Sequence, residues 1–177
     1  MSFIIVLDGP MGAGKSTIGA LLHNKLKRTA LIHADKIKWF ISDFRRSKKD
    51  NAITRAILMK MWEEYLRRGI NLIIPQGFGR GTRPLTPLMR LNKKTGTRMY
   101  LYHLNAPKEV LLQRIKGRPR PGVVRTPIAK SRIRKNIGTW KRDRYFHGRE
   151  FATDSMSPRR VAHEILKDLV EKKFIRR

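Results

Sequence analysis

Eight residues near the start, Gly9-Pro10-Met11-Gly12-Ala13-Gly14-Lys15-Ser16, fit the pattern G-x-x-x-x-G-K-[ST]. Their chemistry is phosphate binding. Glycines let the backbone wrap a triphosphate with its N–H groups, and a following helix N-terminus adds partial positive charge. Gly9, Gly12, Ala13 and Gly14 would form the cradle, and Lys15 would reach the β- and γ-phosphates. The Ser16 hydroxyl would ligate Mg²⁺, with Thr17 assisting at the α-phosphate. At average composition the string arises by chance in roughly 0.6% of chains this long. The unresolved question is where the terminal phosphoryl group goes: to water, into a motion, or onto a second substrate.

Other residues bear on that question. Asp35 follows a short apolar stretch, "ALIHA". In an open α/β sheet the carboxyl ends of the strands face the ligand crevice. A carboxylate there can take the proton of an attacking hydroxyl. It can also simply cap the helix that follows. Lys38 lies one turn further on the same face and could bind an acceptor phosphate. A hydrolase or motor would carry an acid after the third strand. Here Gln76 stands in that place, either as a loop residue or as an uncharged acceptor for a metal-bound water, with Asp8 or Asp35 in the outer shell. Arg114 and Arg118 sit four residues apart where a helix gives way to "KGRPRPGVVR". Arginines on a mobile lid can neutralise charge growing on a transferring phosphoryl group.

The elements that must position these residues follow from the hydrophobic pattern. Phe3 to Asp8 is a continuous apolar run, as expected of a buried parallel strand. Lys15 to Arg28 is amphipathic, with Ile18, Leu21, Leu22 and Leu26 on one face. Further strands are expected at 30–34, 70–74, 98–104 and, more weakly, in "REFATD". Further helices are expected from Asp35, over 52–68 with Ile53, Ile57, Met61 and Leu66, over 84–94, and in "NAPKEVLLQRI". Two more should start at Thr126-Pro127 and Ser157-Pro158, each a cap residue followed by proline. Alternating strands and helices predict an α/β domain with a parallel sheet covered on both faces. The expectation is one P-loop NTPase domain over 1–177, a three-layer sandwich of about five parallel strands with an Arg-rich lid at roughly 114–130.

The chain has 177 residues and no cysteine, which excludes disulfides, thiolate zinc sites and a cysteine nucleophile. No apolar run approaches the ~20 residues needed to span a bilayer, so a cytoplasmic location is the default. Lys and Arg number 41 against 13 Asp and Glu, a formal charge of +28. Such a field favours polyanions: nucleic acid first, phosphorylated small substrates second. Basic residues crowd 114–144, with Trp140, Tyr145 and Phe146 among them, and "RRSKK" (45–49) could form the other wall. Ile133, Ile137 and Trp140 share a helical spacing that points to the core. His33 and His103 read as satisfied core histidines, and the histidines show no metal-ligand spacing.

In order along the chain stand GxxxxGKST, Asp35 with Lys38, Arg83 in the loop after the third strand, and R-x-x-x-R at Arg114 and Arg118. That order resembles the P-loop kinases of the polynucleotide 5′-hydroxyl kinase and zeta-toxin-like group, and the closing "FATDSMSPRRVAHEIL" is similar to the segment flanking adenine there. The resemblance implies ATP and Mg²⁺ as cofactors, with Lys15, Asp35 and Arg118 catalytic. Asp35 would be the general base, and Arg118 would stabilise the β/γ-phosphates. Arg114 would lie near adenine or the lid side of the triphosphate, and Lys38 and Arg83 would bind the acceptor's phosphate. Two positions depart from the pattern: Lys38 stands where arginine is usual, and Gln76 where aspartate is usual. The reading is a kinase acting on a nucleic-acid hydroxyl, a polynucleotide 5′-OH first. The alternatives are a small-molecule, nucleoside or nucleotide kinase, since "VLDGPMGAGKST" also resembles thymidylate kinase openings, and an RNA-binding ATPase without an acceptor.

Overall fold

The structure, a computed structural model, describes residues 2–45, 47–78, 86–117, 130–142 and 148–172. Five strands form it: β1 (Phe3–Asp8), β2 (Thr29–Leu31), β3 (Asn71–Pro75), β4 (Arg98–Asn105) and β5 (Arg149–Ala152). They pair in the order β2-β3-β1-β4-β5, all parallel. The helices among the described residues are α1 (Lys15–His23), α2 (Ala34–Lys38), α3 (Lys48–Arg67), α4 (Thr86–Thr95), α5 (Lys108–Lys116), α6 (Lys130–Arg142) and α7 (Pro158–Glu171).

β1 is buried along its whole length, so its apolar run serves two cores. Successive strand side chains point to opposite faces. Phe3, Ile5 and Leu7 join Ile18 and Leu22 of α1, Leu111 of α5, Ile133 and Ile137 of α6, and Val161, Ile165 and Leu169 of α7. Ile4 and Val6 join Ile37 of α2, Leu58, Trp62 and Leu66 of α3, and Leu88 and Leu91 of α4. The layers are therefore helix, sheet, helix, and the central strand ends in Asp8 directly before the glycine-rich loop.

Several elements differ from the pattern reading. α1 stops at His23, because residues 24–28 form a turn that ends with Arg28 at φ 50° before β2 begins. β2 ends at Leu31, and His33 becomes the N-cap of α2, which sets Asp35 in that helix's first turn. α3 starts four residues before Ala52, capped by the Ser47 hydroxyl, which accepts the Asp50 N–H. It buries Thr54, Leu58, Trp62 and Leu66, an unbroken i+4 row, whereas Ile53 and Ile57 are 39% and 42% exposed. The Ser157 cap of α7 forms as expected, accepting the Arg160 N–H with Pro158 in the first turn. Trp140's side chain and the helix start at Thr126-Pro127 lie outside the described residues.

Candidate active site

The loop between β1 and α1 is held by close packing on both sides. Gly9 has φ 150°, and a Cβ there would collide with the Leu104 carbonyl of β4. From the other side Gly77 leans on the loop, where a Cβ would come within 2.7 Å of the Gly9 carbonyl. Gly14 caps α1, whose first helical hydrogen bond runs from Ile18 N–H to the Gly14 carbonyl at 2.9 Å. The amides of Lys15, Ser16 and Thr17 therefore have no acceptor within the helix, and no acid stands in its first turn. Such an end attracts anions. Lys15 Nζ donates to the carbonyls of Gly9 and Pro10 at 2.8 and 2.7 Å, which places the ammonium over the loop.

A cleft of about 250 Å³ opens there. Gly9, Gly12, Gly14, Lys15 and Ser16 form one wall. His33, Ala34, Asp35 and Lys38, from the start of α2, form another, and Pro75, Gln76 and Gly77 lie after β3. Parallel pairing of β2, β3 and β1 brings these three strand ends to one edge of the sheet. Asp35 and Lys38 meet across one helical turn, with Nζ 2.8 Å from Oδ1. Asp35 is 78% exposed and Lys38 only 22%. The carboxylate stands out into the cleft mouth, and the lysine lies deeper.

Gln76 Oε1 is buried and has no hydrogen-bond partner among the described residues. An orphaned carbonyl oxygen of this kind is costly unless something donates to it. Gln76 and Ser16 both line the cleft. Mg²⁺ prefers oxygen ligands and keeps several waters, so this donor set fits a hydrated magnesium ion. Asp8 takes no part. Its side chain is buried, its Oδ1 accepts the Phe78 N–H at 2.8 Å, and its Oδ2 lies 3.1 Å from His103 Nδ1. Asp8 ties down the loop after β3 at Phe78, and of the two carboxylates Asp35 is the one that lines the cleft.

His103 is the satisfied histidine that the strand pattern implies. His33 is not a core histidine, because β2 ends before it and leaves it on the cleft wall. Burial pushes its pKa below the usual histidine value, Lys36 pushes the same way, and Asp35 opposes them.

A second cleft, about 230 Å³, lies on the other side of the loop, lined by Gly12, Ala13, Gly14, Thr17, Ile18, Arg114, Thr153 and Pro158. Arg114 is fixed there. Its guanidinium donates to the Thr153 hydroxyl at 3.0 Å and to the Thr153 carbonyl at 2.6 Å. Thr153 in turn donates its N–H and its hydroxyl to the Asn105 carbonyl at the end of β4. The structure thus gathers Gly9, Gly12, Ala13, Gly14, Lys15, Ser16, Thr17, Asp35, Lys38, Gln76 and Arg114 around one loop. Arg83 and Arg118 lie outside the described residues. Sequence reasoning missed Asn136 of α6, whose side-chain oxygen accepts the Met11 N–H at 2.9 Å. An asparagine in mid-helix is a poor helix former, and that was its one signal. Thr153 was missed as well, although its segment had been singled out.

A family model described as an AAA domain matches residues 4–142. The chain belongs to that family. Its fold is that of the P-loop kinases, as shown by solved structures that superimpose along most of the chain. The tunicamycin resistance protein of Deinococcus radiodurans shares 20% identity at a TM-score of 0.69, with 96% of each chain covered. The APS kinase CysC of Mycobacterium tuberculosis, in complex with AMPPNP and APS, shares 16% at 0.66, covering 96% of this chain and 98% of its own. A chain of the Pnkp1/Rnl/Hen1 RNA repair complex shares 18% at 0.67, covering 80% of this chain and 44% of its own. Among curated proteins no sequence matches. No helix among the described residues is long and apolar enough to cross a membrane.

Proposed function

We propose that this member of the AAA domain family is an ATP- and Mg²⁺-dependent kinase that transfers the γ-phosphate to a hydroxyl of a nucleic acid, in the first place a polynucleotide 5′-OH. The observation that carries the reading is the position of Asp35 and Lys38, which share a cleft with Lys15 and Ser16. A carboxylate on the far side of a phosphate cradle is what an incoming alcohol needs. The charge of +28 favours a polyanionic acceptor over a neutral one.

In this reading residues 1–177 act as one cytoplasmic kinase domain with a lid at roughly 114–130. The amides at the start of α1 and the Lys15 ammonium hold the triphosphate, and Arg114 steadies its nucleotide side from Thr153. Arg118 stabilises charge on the transferring group. Bound magnesium, held through Ser16 and a water on Gln76, would neutralise phosphate charge. Lys38 and Arg83 take the acceptor's own phosphate. When that phosphate occupies Lys38, the Asp35 oxygen now bonded to Nζ becomes available to the alcohol proton. Most of the acceleration comes from alignment and charge stabilisation, as is general for phosphoryl transfer.

A small-molecule acceptor is the second reading. It is favoured by similar folds in an APS kinase and in a sugar kinase from Janibacter sp. HTCC2649, which shares 16% identity at a TM-score of 0.66. One experiment separates the two. The protein is incubated with γ-labelled ATP and Mg²⁺, with 5′-OH oligonucleotides in one arm and a panel of nucleosides, nucleotides and sugars in the other. Label on the oligonucleotide is expected. Label only on a small molecule supports the second reading. Free phosphate stimulated by RNA, with no labelled acceptor, replaces both with a nucleic-acid-dependent ATPase.

A further inference from the structure

We propose that the exposed ring of Phe40 is a stacking platform for the second base of a single-stranded acceptor, which would make the turn after α2 the entry track for nucleic acid. This rests on the reading that the acceptor is a polynucleotide end. Phe40 is 81% exposed, the most exposed of the large apolar side chains among the described residues.

The backbone beneath the ring is well held. Phe40 N–H donates to the Ile37 carbonyl at 3.2 Å, and Phe44 N–H to the Ile41 carbonyl at 3.3 Å. Trp39 packs edge-on against Phe44 at 5.8 Å between ring centroids, and Ile37 and Phe44 are buried. Apolar neighbours on both sides thus turn inward, while this ring stays in water. A pinned turn that presents one aromatic face is suited to a flat ligand.

Position and charge say which ligand. Phe40 is two residues past Lys38, which lines the acceptor cleft, so the two backbones are within about 7 Å. Lys36, Arg45, Lys48 and Lys49 flank the turn in sequence, against one exposed acid within it, Asp43. The nearby Asp50 carboxylate accepts the Arg45 N–H at 2.9 Å, which holds it against the loop backbone. Cations that track phosphates, with an aromatic face between them, are the recognition chemistry of single-stranded nucleic acid. A duplex buries its base faces and offers nothing to stack. With the reacting hydroxyl at Asp35 and the first internucleotide phosphate at Lys38, a strand that leaves the cleft along this turn would bring its second base to Phe40.

Transfer from γ-labelled ATP tests this on three acceptors: a nucleoside 3′-monophosphate, a 5′-OH decanucleotide, and the same decanucleotide made abasic at its second position. Phe40→Ala should raise KM for the normal decamer about tenfold and leave kcat within about twofold. It should not change KM for the mononucleotide. The abasic decamer should cost the native protein about the same factor and cost Phe40→Ala nothing further. Phe40→Trp should retain native KM, which excludes a folding defect as the cause. Equal KM for native protein and Phe40→Ala on the normal decamer overturns the proposal. So does an equal penalty from Phe40→Ala on both decamers. Loss of self-association, or of binding to anionic vesicles, in Phe40→Ala with unchanged KM would assign the ring to a second copy or to a lipid surface and also overturn it. If the native protein labels no decamer but does label a small molecule, the polynucleotide reading itself has failed, before any variant is made.

Discussion

Two clefts flank the glycine-rich loop, and they are built differently. On the Arg114 side, the guanidinium is tied twice to Thr153, which is tied twice to the end of β4. On the Asp35 side, the charged pair joins two side chains of one short helix, and its carboxylate is mostly exposed. Gln76, nearby, keeps a buried oxygen without a partner among the described residues. Among the described residues, one side is tied to the sheet through a chain of hydrogen bonds, whereas the other rests on an exposed ion pair within one helical turn. A kinase that always uses the same phosphate donor gains from a rigid donor site. Acceptor choice can then be set by a few residues on α2 and the loop after β3, without disturbing the sheet.

The largest effect should come from the exposed side. Asp35→Asn keeps size and removes the base, so transfer should fall at least ~100-fold while nucleotide affinity stays close to native. Titration with a fluorescent ATP analogue, beside initial rates, measures both. Unchanged turnover would take Asp35 out of the base role and leave it as a helix-end residue paired with Lys38.

Arg114→Ala tests the tied side. It removes two hydrogen bonds from a charged group to Thr153. KM for ATP should rise about tenfold, about 1.4 kcal/mol of binding, because the cation that faces the nucleotide side of the loop is gone. KM for the acceptor should not move. An equal rise in both would mean that the clefts are one unit, and the contrast between them would be lost.

How much of this was legible follows the same division. The phosphate cradle was readable because its function is local: eight consecutive residues, a strand before them and a helix after. The order of strands and helices was readable for the same reason. The exposed row of α3 was not, because Ile53 and Ile57 repeat at the same helical spacing as Thr54, Leu58 and Trp62, and only packing against the sheet chooses between the rows. His33 was misplaced because an apolar stretch does not announce where pairing with β3 ends. Asn136 reaches Met11 across 125 residues of chain, a contact that no spacing rule reports. The pair Asp35 and Lys38 was legible as a spacing. That it would line the same cleft as the orphaned Gln76 was not.

The smallest effect concerns what stands behind the tied side. Tyr102 of β4 is buried, and its hydroxyl donates to Asp168 of α7 at 2.6 Å. Lys172 Nζ donates to the same oxygen at 2.8 Å. α7 begins at Pro158, in the wall of the Arg114 cleft, so this bond anchors that wall to the sheet. Burial of Asp168 works to raise its pKa, but the donors Lys172 and Tyr102 and the nearby charges outweigh it, and the net shift is downward. A carboxyl held below its ordinary value adds stability above that value and loses it as pH falls through the lowered one. Tyr102→Phe should therefore cost about 1–2 kcal/mol at neutral pH, and the difference from native should shrink in strongly acidic buffer as Asp168 takes up a proton. Chemical denaturation at neutral and acidic pH measures this. Both KM values should stay native, because the lost bond lies behind the cleft wall and Arg114 keeps its hold on Thr153. If KM for ATP rises with the loss of stability, the rigidity of the donor site comes from the whole β4–α7 contact, and the Arg114–Thr153 pair is only its visible end.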